Sequence, residues 1–211
     1  MGGGSSSFVV TAQPPKVLME AVLVSSAVVA IAEIGDKTQL LALVLAARFR
    51  KPLIIILGIL VATLANHALA ASLGVLVASW LSPDLLRWIL GLSFLAMAIW
   101  TLIPDAVDSD DTTTSSRLGP FLATLVAFFL LEIGDKTQIA TIALSARFHD
   151  LLWVTVGTTA GMMLANVPAV LLGDVAAKKI PLKIVHGIAA AIFAVMGILM
   201  LVNLGRRLFS F

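Results

Sequence analysis

The chain has 211 residues, of which 60% are hydrophobic and 12% charged, with a formal net charge of +2 and a mean hydropathy of +1.06. A soluble domain carries roughly 25% charged residues, so the composition excludes a soluble enzyme, a nucleic-acid-binding domain and a disordered hub. Cysteine is absent, which removes disulfides, zinc ribbons and thiol catalysis. The chain reads as an all-α integral membrane protein with the lipid bilayer as its solvent.

Residues 1–16 read as a flexible N-terminus, because MGGGSSS has neither the cationic start nor the small-residue cleavage site of a signal peptide. A hydrocarbon core of ~30 Å needs about 20 mostly apolar residues per spanning helix. Six segments qualify: approximately Val17–Ala47, Pro52–Leu81, Leu85–Ile103, Pro120–Ala146, Leu151–Asp174 and Leu182–Leu204. The first and fourth are longer than a simple span, which predicts tilt or an interruption. Most connectors are short, but Asp105–Arg117 holds four Asp, three Thr and three Ser, a solvated linker between two halves.

The halves repeat. Residues 33–39 read EIGDKTQ, and the same seven residues recur at 132–138, 99 positions later. Ala47-Arg48-Phe49 recurs as Ala146-Arg147-Phe148, Gly58 as Gly157 and Gly74 as Gly173, while Leu64-Ala65-Asn66 recurs as Leu164-Ala165-Asn166 at an offset of 100. The predicted organisation is a three-helix repeat over 17–103, an acidic polar linker over 104–118, a second three-helix repeat over 119–205 and a tail over 206–211. Three spans per half is an odd number, so the repeats should be inverted, with a shared site near the midplane, as in many secondary transporters. No Gly-x-x-x-x-Gly-Lys-Ser/Thr sequence is present to bind nucleotide.

The first, third and fifth connectors carry Arg48, Arg50, Lys51, Arg117, Lys178, Lys179 and Lys183, against Lys16, Arg87, Arg147, Arg206 and Arg207 on the other side. The positive-inside bias then puts the acidic linker in the cytoplasm and both termini outside.

Glu33, Asp36, Lys37, Glu132, Asp135 and Lys136 all fall inside apolar segments. One ionised side chain at a helix centre costs roughly 2.5–3.5 kcal/mol, so six unpaired ones would cost on the order of 15–20 kcal/mol. Such groups are there for function or for one another. In a continuous helix Glu33 and Asp36 share a face, with Lys37 beside Glu33 at i+4, and Gly35 or Gly134 permits local unwinding that would expose carbonyls to a cavity. Four carboxylates and two ammonium groups sum to −2, the charge one divalent cation neutralises. Carboxylates together with Thr38, Thr137, Gln39, Gln138 and backbone carbonyls form an all-oxygen set suited to Mn²⁺, Ca²⁺ or Mg²⁺. Asn66 and Asn166 are possible additional ligands, or interhelical hydrogen-bonding groups. Burial and mutual repulsion favour proton uptake by the carboxylates when no metal is bound, so two protons could replace one divalent ion. That is the electrostatic core of a cation/proton antiporter. The bland alternative is that Glu33–Lys37 and Glu132–Lys136 are structural ion pairs.

The doubled EIGDKTQ resembles the family of six-span transporters defined by duplicated Glu-x-Gly-Asp-Lys/Arg-Thr/Ser motifs, which includes Golgi and chloroplast-envelope Mn²⁺/Ca²⁺ transporters and bacterial manganese exporters of the Mne type. The resemblance covers about residues 17–205. It implies inverted three-helix repeats, Mn²⁺ or Ca²⁺ as the transported ion with no other cofactor, and exchange against protons. The matching positions here are Glu33, Gly35, Asp36, Lys37 and Thr38, then Glu132, Gly134, Asp135, Lys136 and Thr137. The compact loops resemble bacterial members, for which the implied role is manganese efflux across the cytoplasmic membrane.

Competing readings are a passive divalent channel, an amino-acid exporter and an intramembrane aspartyl protease. The protease pattern Gly-x-Gly-Asp fails here, because Glu33 and Glu132 stand where its first glycine would be.

Overall fold

A computed structural model describes residues 15–103, 119–172 and 182–202. The linker 104–118, the tail 206–211, Gly173, Lys178 and Lys179 lie outside the described residues. Among the described residues the chain forms eight helices and no strand: α1 (Pro15–Glu33), α2 (Lys37–Phe49), α3 (Pro52–Trp80), α4 (Pro83–Thr101), α5 (Pro120–Glu132), α6 (Lys136–Phe148), α7 (Leu152–Leu172) and α8 (Leu182–Leu201). Pro52, Pro83 and Pro120 stand in the first turn of α3, α4 and α5, where a missing N–H costs nothing and a fixed φ favours the helix. Helices α2 and α6 both stop at a left-handed residue, Arg50 at φ 52° and His149 at φ 51°, again 99 positions apart.

Among the described residues, five helices are long and apolar enough to cross a membrane: α1, α3, α4, α7 and the Lys183–Leu201 part of α8. Helix α5 is apolar but shorter. The two overlong segments of the sequence are interrupted rather than merely tilted, each dividing into a pair of helices, α1 with α2 and α5 with α6. Large apolar side chains such as Leu53, Leu69, Ile99, Leu130 and Leu164 lie on the outside, whereas Ser25, Thr38, Thr63, Asn66, Thr137 and Asn166 are buried. Outward leucines with an inward polar seam suit a bundle solvated by lipid, where every polar group must find its partner within the protein.

The packing is reciprocal. Helix α1 lies against α7 and α3 against α5, so each half's interrupted segment rests on the other half's second long helix. A Cβ on Gly157 would stand 2.7 Å from the Val22 carbonyl oxygen and 2.9 Å from Ser25 Cβ; one on Gly58 would stand 2.8 Å from Thr124 Cβ and 3.1 Å from the Phe121 carbonyl oxygen. Val22, Ser25 and Gly58 become Phe121, Thr124 and Gly157 on adding 99, so these are two copies of one contact. Phe94 stacks on Phe193, its own equivalent, with ring centroids 6.3 Å apart, joining α4 to α8. Glycine therefore sets how closely the halves approach, as small residues do between membrane helices.

Gly58→Ala and Gly157→Ala should each destabilise the protein by roughly 1–3 kcal/mol through overpacking, read as a lowered Tm in detergent. Gly187→Ala, where an added Cβ meets nothing within 4 Å, should leave Tm unchanged or raise it.

Candidate functional site

Each EIGDKTQ motif is a helix break. Helix α1 ends on Glu33 and α2 begins at Lys37; α5 ends on Glu132 and α6 begins at Lys136. Gly35 has φ 83° and Gly134 φ 78°, a left-handed conformation that costs other residues about 1–2 kcal/mol. Asp36 and Asp135 follow in extended conformation as N-caps. The glutamine three residues later reaches back: the Gly35 N–H donates to Gln39 Oε1 at 2.9 Å, and the Gly134 N–H to Gln138 Oε1 at 2.8 Å. This is a capping box displaced by one residue. The glutamine oxygens, nominated from sequence as cation donors, thus hold the turn. Gln39 also donates its amide to the Ala165 carbonyl of α7 at 2.9 Å.

The continuous helix that would set Lys37 beside Glu33 at i+4 is broken between the two residues. The lysines cross to the opposite motif instead. Lys37 Nζ lies 3.2 Å from Asp135 Oδ1, and Lys136 Nζ lies 3.0 Å from Asp36 Oδ1. Both aspartates are only 2% exposed, so the pairs offset charges that the bundle could not otherwise hold.

The glutamates are treated differently. Glu33 and Glu132 are wholly buried. Thr38 Oγ1 donates to Glu33 Oε2, and Thr137 Oγ1 donates to Glu132 Oε2 at 3.1 Å. The second oxygen of each, Oε1, has no hydrogen-bond donor among the described residues, nor has Asp135 Oδ2. One carboxylate oxygen from each of Glu33, Glu132 and Asp135 lies within 4.8 Å of the others. These three could hold a metal ion; Asp36, the fourth predicted ligand, is engaged by Lys136. Asn66 and Asn166 are buried. Asn66 donates to the Phe129 carbonyl at 3.0 Å, while Asn166 donates within its own helix to the Met162 carbonyl at 3.1 Å. Their Oδ1 atoms have no partner among the described residues. A cavity of ≈ 400 Å³ bordered by Asn66, Phe129, Ile133 and Gln138 reaches the second break.

The threonine bonds and the crossed pairs were not legible in the sequence, although the invariance of Thr and Lys between the two copies was a usable signal. A further ion pair joins Arg147 of α6 to Glu20 of α1 at 3.9 Å.

The family described as "Divalent cation/proton antiporter GDT1" matches residues 21–109 and 120–207, one stretch in each half. A Vibrio cholerae protein named "Putative manganese exporter" is 55% identical over 186 residues, covering 88% of this chain and 92% of that protein. GDT1-like protein 5 of Arabidopsis thaliana is 30% identical over 223 residues, 86% of this chain and 95% of its own. No solved structure matches the chain. The chain belongs to the GDT1 family of divalent cation/proton antiporters and is a transporter, not an enzyme.

Proposed function

We propose that this antiporter exports Mn²⁺ from a bacterial cytoplasm in exchange for protons, through one carboxylate cage shared by two inverted three-helix repeats. In this reading α1 with α2 forms one span and α5 with α6 another, giving six spans in all. The acidic linker faces the cytoplasm and both termini face outside. The reciprocal packing of α1 on α7 and α3 on α5 supports a two-fold relation between the repeats. The relative named as a manganese exporter and the oxygen-only donor set support Mn²⁺ over zinc or copper.

One observation carries the exchange mechanism. The crossed lysines cancel both aspartates, which leaves −2 on two buried glutamates, one from each half. Each glutamate is steadied through Oε2 by a threonine and offers an Oε1 that is unpartnered among the described residues. One divalent cation neutralises that pair, and so do two protons; ionised and empty, the pair would be two like charges in a low-dielectric interior. Metal and protons therefore exclude each other, and neither leaves without a replacement. The C-terminal ends of α1 and α5 close on Glu33 and Glu132, and the negative end of a helix dipole is the end that broken-helix transporters turn towards a cation. Asn66 and Asn166 Oδ1 and carbonyls freed at the breaks supply further oxygen donors, Ala165's being already engaged by Gln39.

Glu33→Gln and Glu132→Gln should each cut Mn²⁺ flux in proteoliposomes by roughly 100-fold, the equivalent of about 3 kcal/mol for a lost buried charge partner. Normal flux in one of the two variants would disprove a shared cage. Ca²⁺ offered in the same assay reports selectivity between the two hard ions.

The pH dependence has a definite sign. Protons win the carboxylates on the acid side, so Mn²⁺ affinity should fall as pH falls, by up to ~100-fold per pH unit if two protons are displaced. Flux should also accelerate when a proton gradient opposes the metal. Affinity and flux that ignore pH would indicate a passive channel.

A further inference from the structure

The two crossed ion pairs are equivalent in sequence but not in surroundings. Lys136 is 3% exposed and holds Asp36, which stands outside the carboxylate triplet. Lys37 is 23% exposed and holds Asp135, a member of the triplet. Asp135 Oδ1 accepts the ammonium group while Oδ2 is buried without a hydrogen-bond partner among the described residues.

We propose that Lys37 is a tethered counter-ion that competes with the transported cation for Asp135 and swings off it as the metal binds, while Lys136 stays on Asp36 throughout. The proposal rests on the cation-exchange reading above. An ammonium and a divalent ion on one buried carboxylate repel strongly at low dielectric, so occupation by one weakens the other. The long, flexible lysine stem lets the charged end withdraw towards water while its methylenes stay in apolar contact. Lys37, at 23% exposure, is not sealed in by protein. Lys136, at 3%, is enclosed with Asp36, where separating two buried opposite charges is costly. A lysine that returns to Asp135 as the metal departs also speeds release, because the carboxylate is never left ionised and alone.

Two measurements on the full-length chain in lipid nanodiscs test this. In the first, a small amine-reactive reagent is applied with and without saturating Mn²⁺, and modification is mapped by peptide mass. Labelling of Lys37 should rise several-fold with Mn²⁺ while that of Lys136 stays low. Saturable Mn²⁺ binding in the same sample with unchanged or diminished Lys37 labelling would overturn the lysine's role and leave the transport reading intact. A chain that binds no Mn²⁺ would overturn both. The second measurement compares Lys37→Met with Lys136→Met, which remove the same charge. If Lys37 covers Asp135 about nine-tenths of the time, its loss should tighten Mn²⁺ binding by about tenfold relative to the Lys136 variant. Equal tightening in both would show general charge loss rather than competition, and would count against the proposal.

Discussion

A charge inside a bilayer must be compensated where it stands, and the architecture of this protein follows from that constraint. Six ionisable groups sit within apolar segments, where a low dielectric screens charge poorly. The protein meets the cost by exchange between its halves: each motif's lysine neutralises the other motif's aspartate. Because each pair spans both halves, neither half could bury its motif alone. The two glutamates left over are buried, with Oε1 atoms that have no hydrogen-bond partner among the described residues, and in the proposed exchange theirs is the charge that the cargo cancels.

Crossing the pairs requires interrupted helices. A continuous helix would align Glu33 with Lys37 and let them neutralise each other locally, leaving no site. The left-handed glycines and the back-reaching glutamines turn the chain between glutamate and lysine, so the former closes one helix and the latter opens the next. A helix end leaves carbonyls without intrahelical partners, and here the Glu33 and Glu132 carbonyls accept from the Asp36 and Asp135 N–H groups, so the turn itself receives them as a membrane interior requires. Thus one local device directs the glutamates to the shared centre and the lysines away to the opposite motif.

The repeat is not perfect, and its departures are physical. Nine residues separate Gly157 from Asn166, against eight from Gly58 to Asn66. One added residue turns a helix by about 100°. Asn66 accordingly reaches across to the Phe129 carbonyl, while Asn166 bonds within its own helix. Gln39 is tied to the Ala165 carbonyl of α7, whereas Gln138 borders the cavity beside Asn66. The two halves therefore present unlike surroundings to the clustered carboxylates.

Hydropathy and exact repetition are properties of a linear string, so the membrane class, the apolar segments, the duplication and the charged residues within those segments could be read from the amino-acid sequence. Length suggested tilt or an interruption in the first segment of each half, but α3 runs unbroken for 29 residues, so length alone did not place the breaks. What the sequence could not determine was which charges meet. Spacing of four suggests Glu33 with Lys37 only while the helix continues, and whether Gly35 bends or merely packs depends on what surrounds it. Pairing Lys37 with Asp135 joins residues 98 apart in the chain, a contact set by how closely α1 and α3 approach α7 and α5. That approach is decided by glycine contacts with the opposing backbone, so only the tertiary structure selects the crossed pairs, the threonine-steadied glutamates and the unequal exposure of the two lysines.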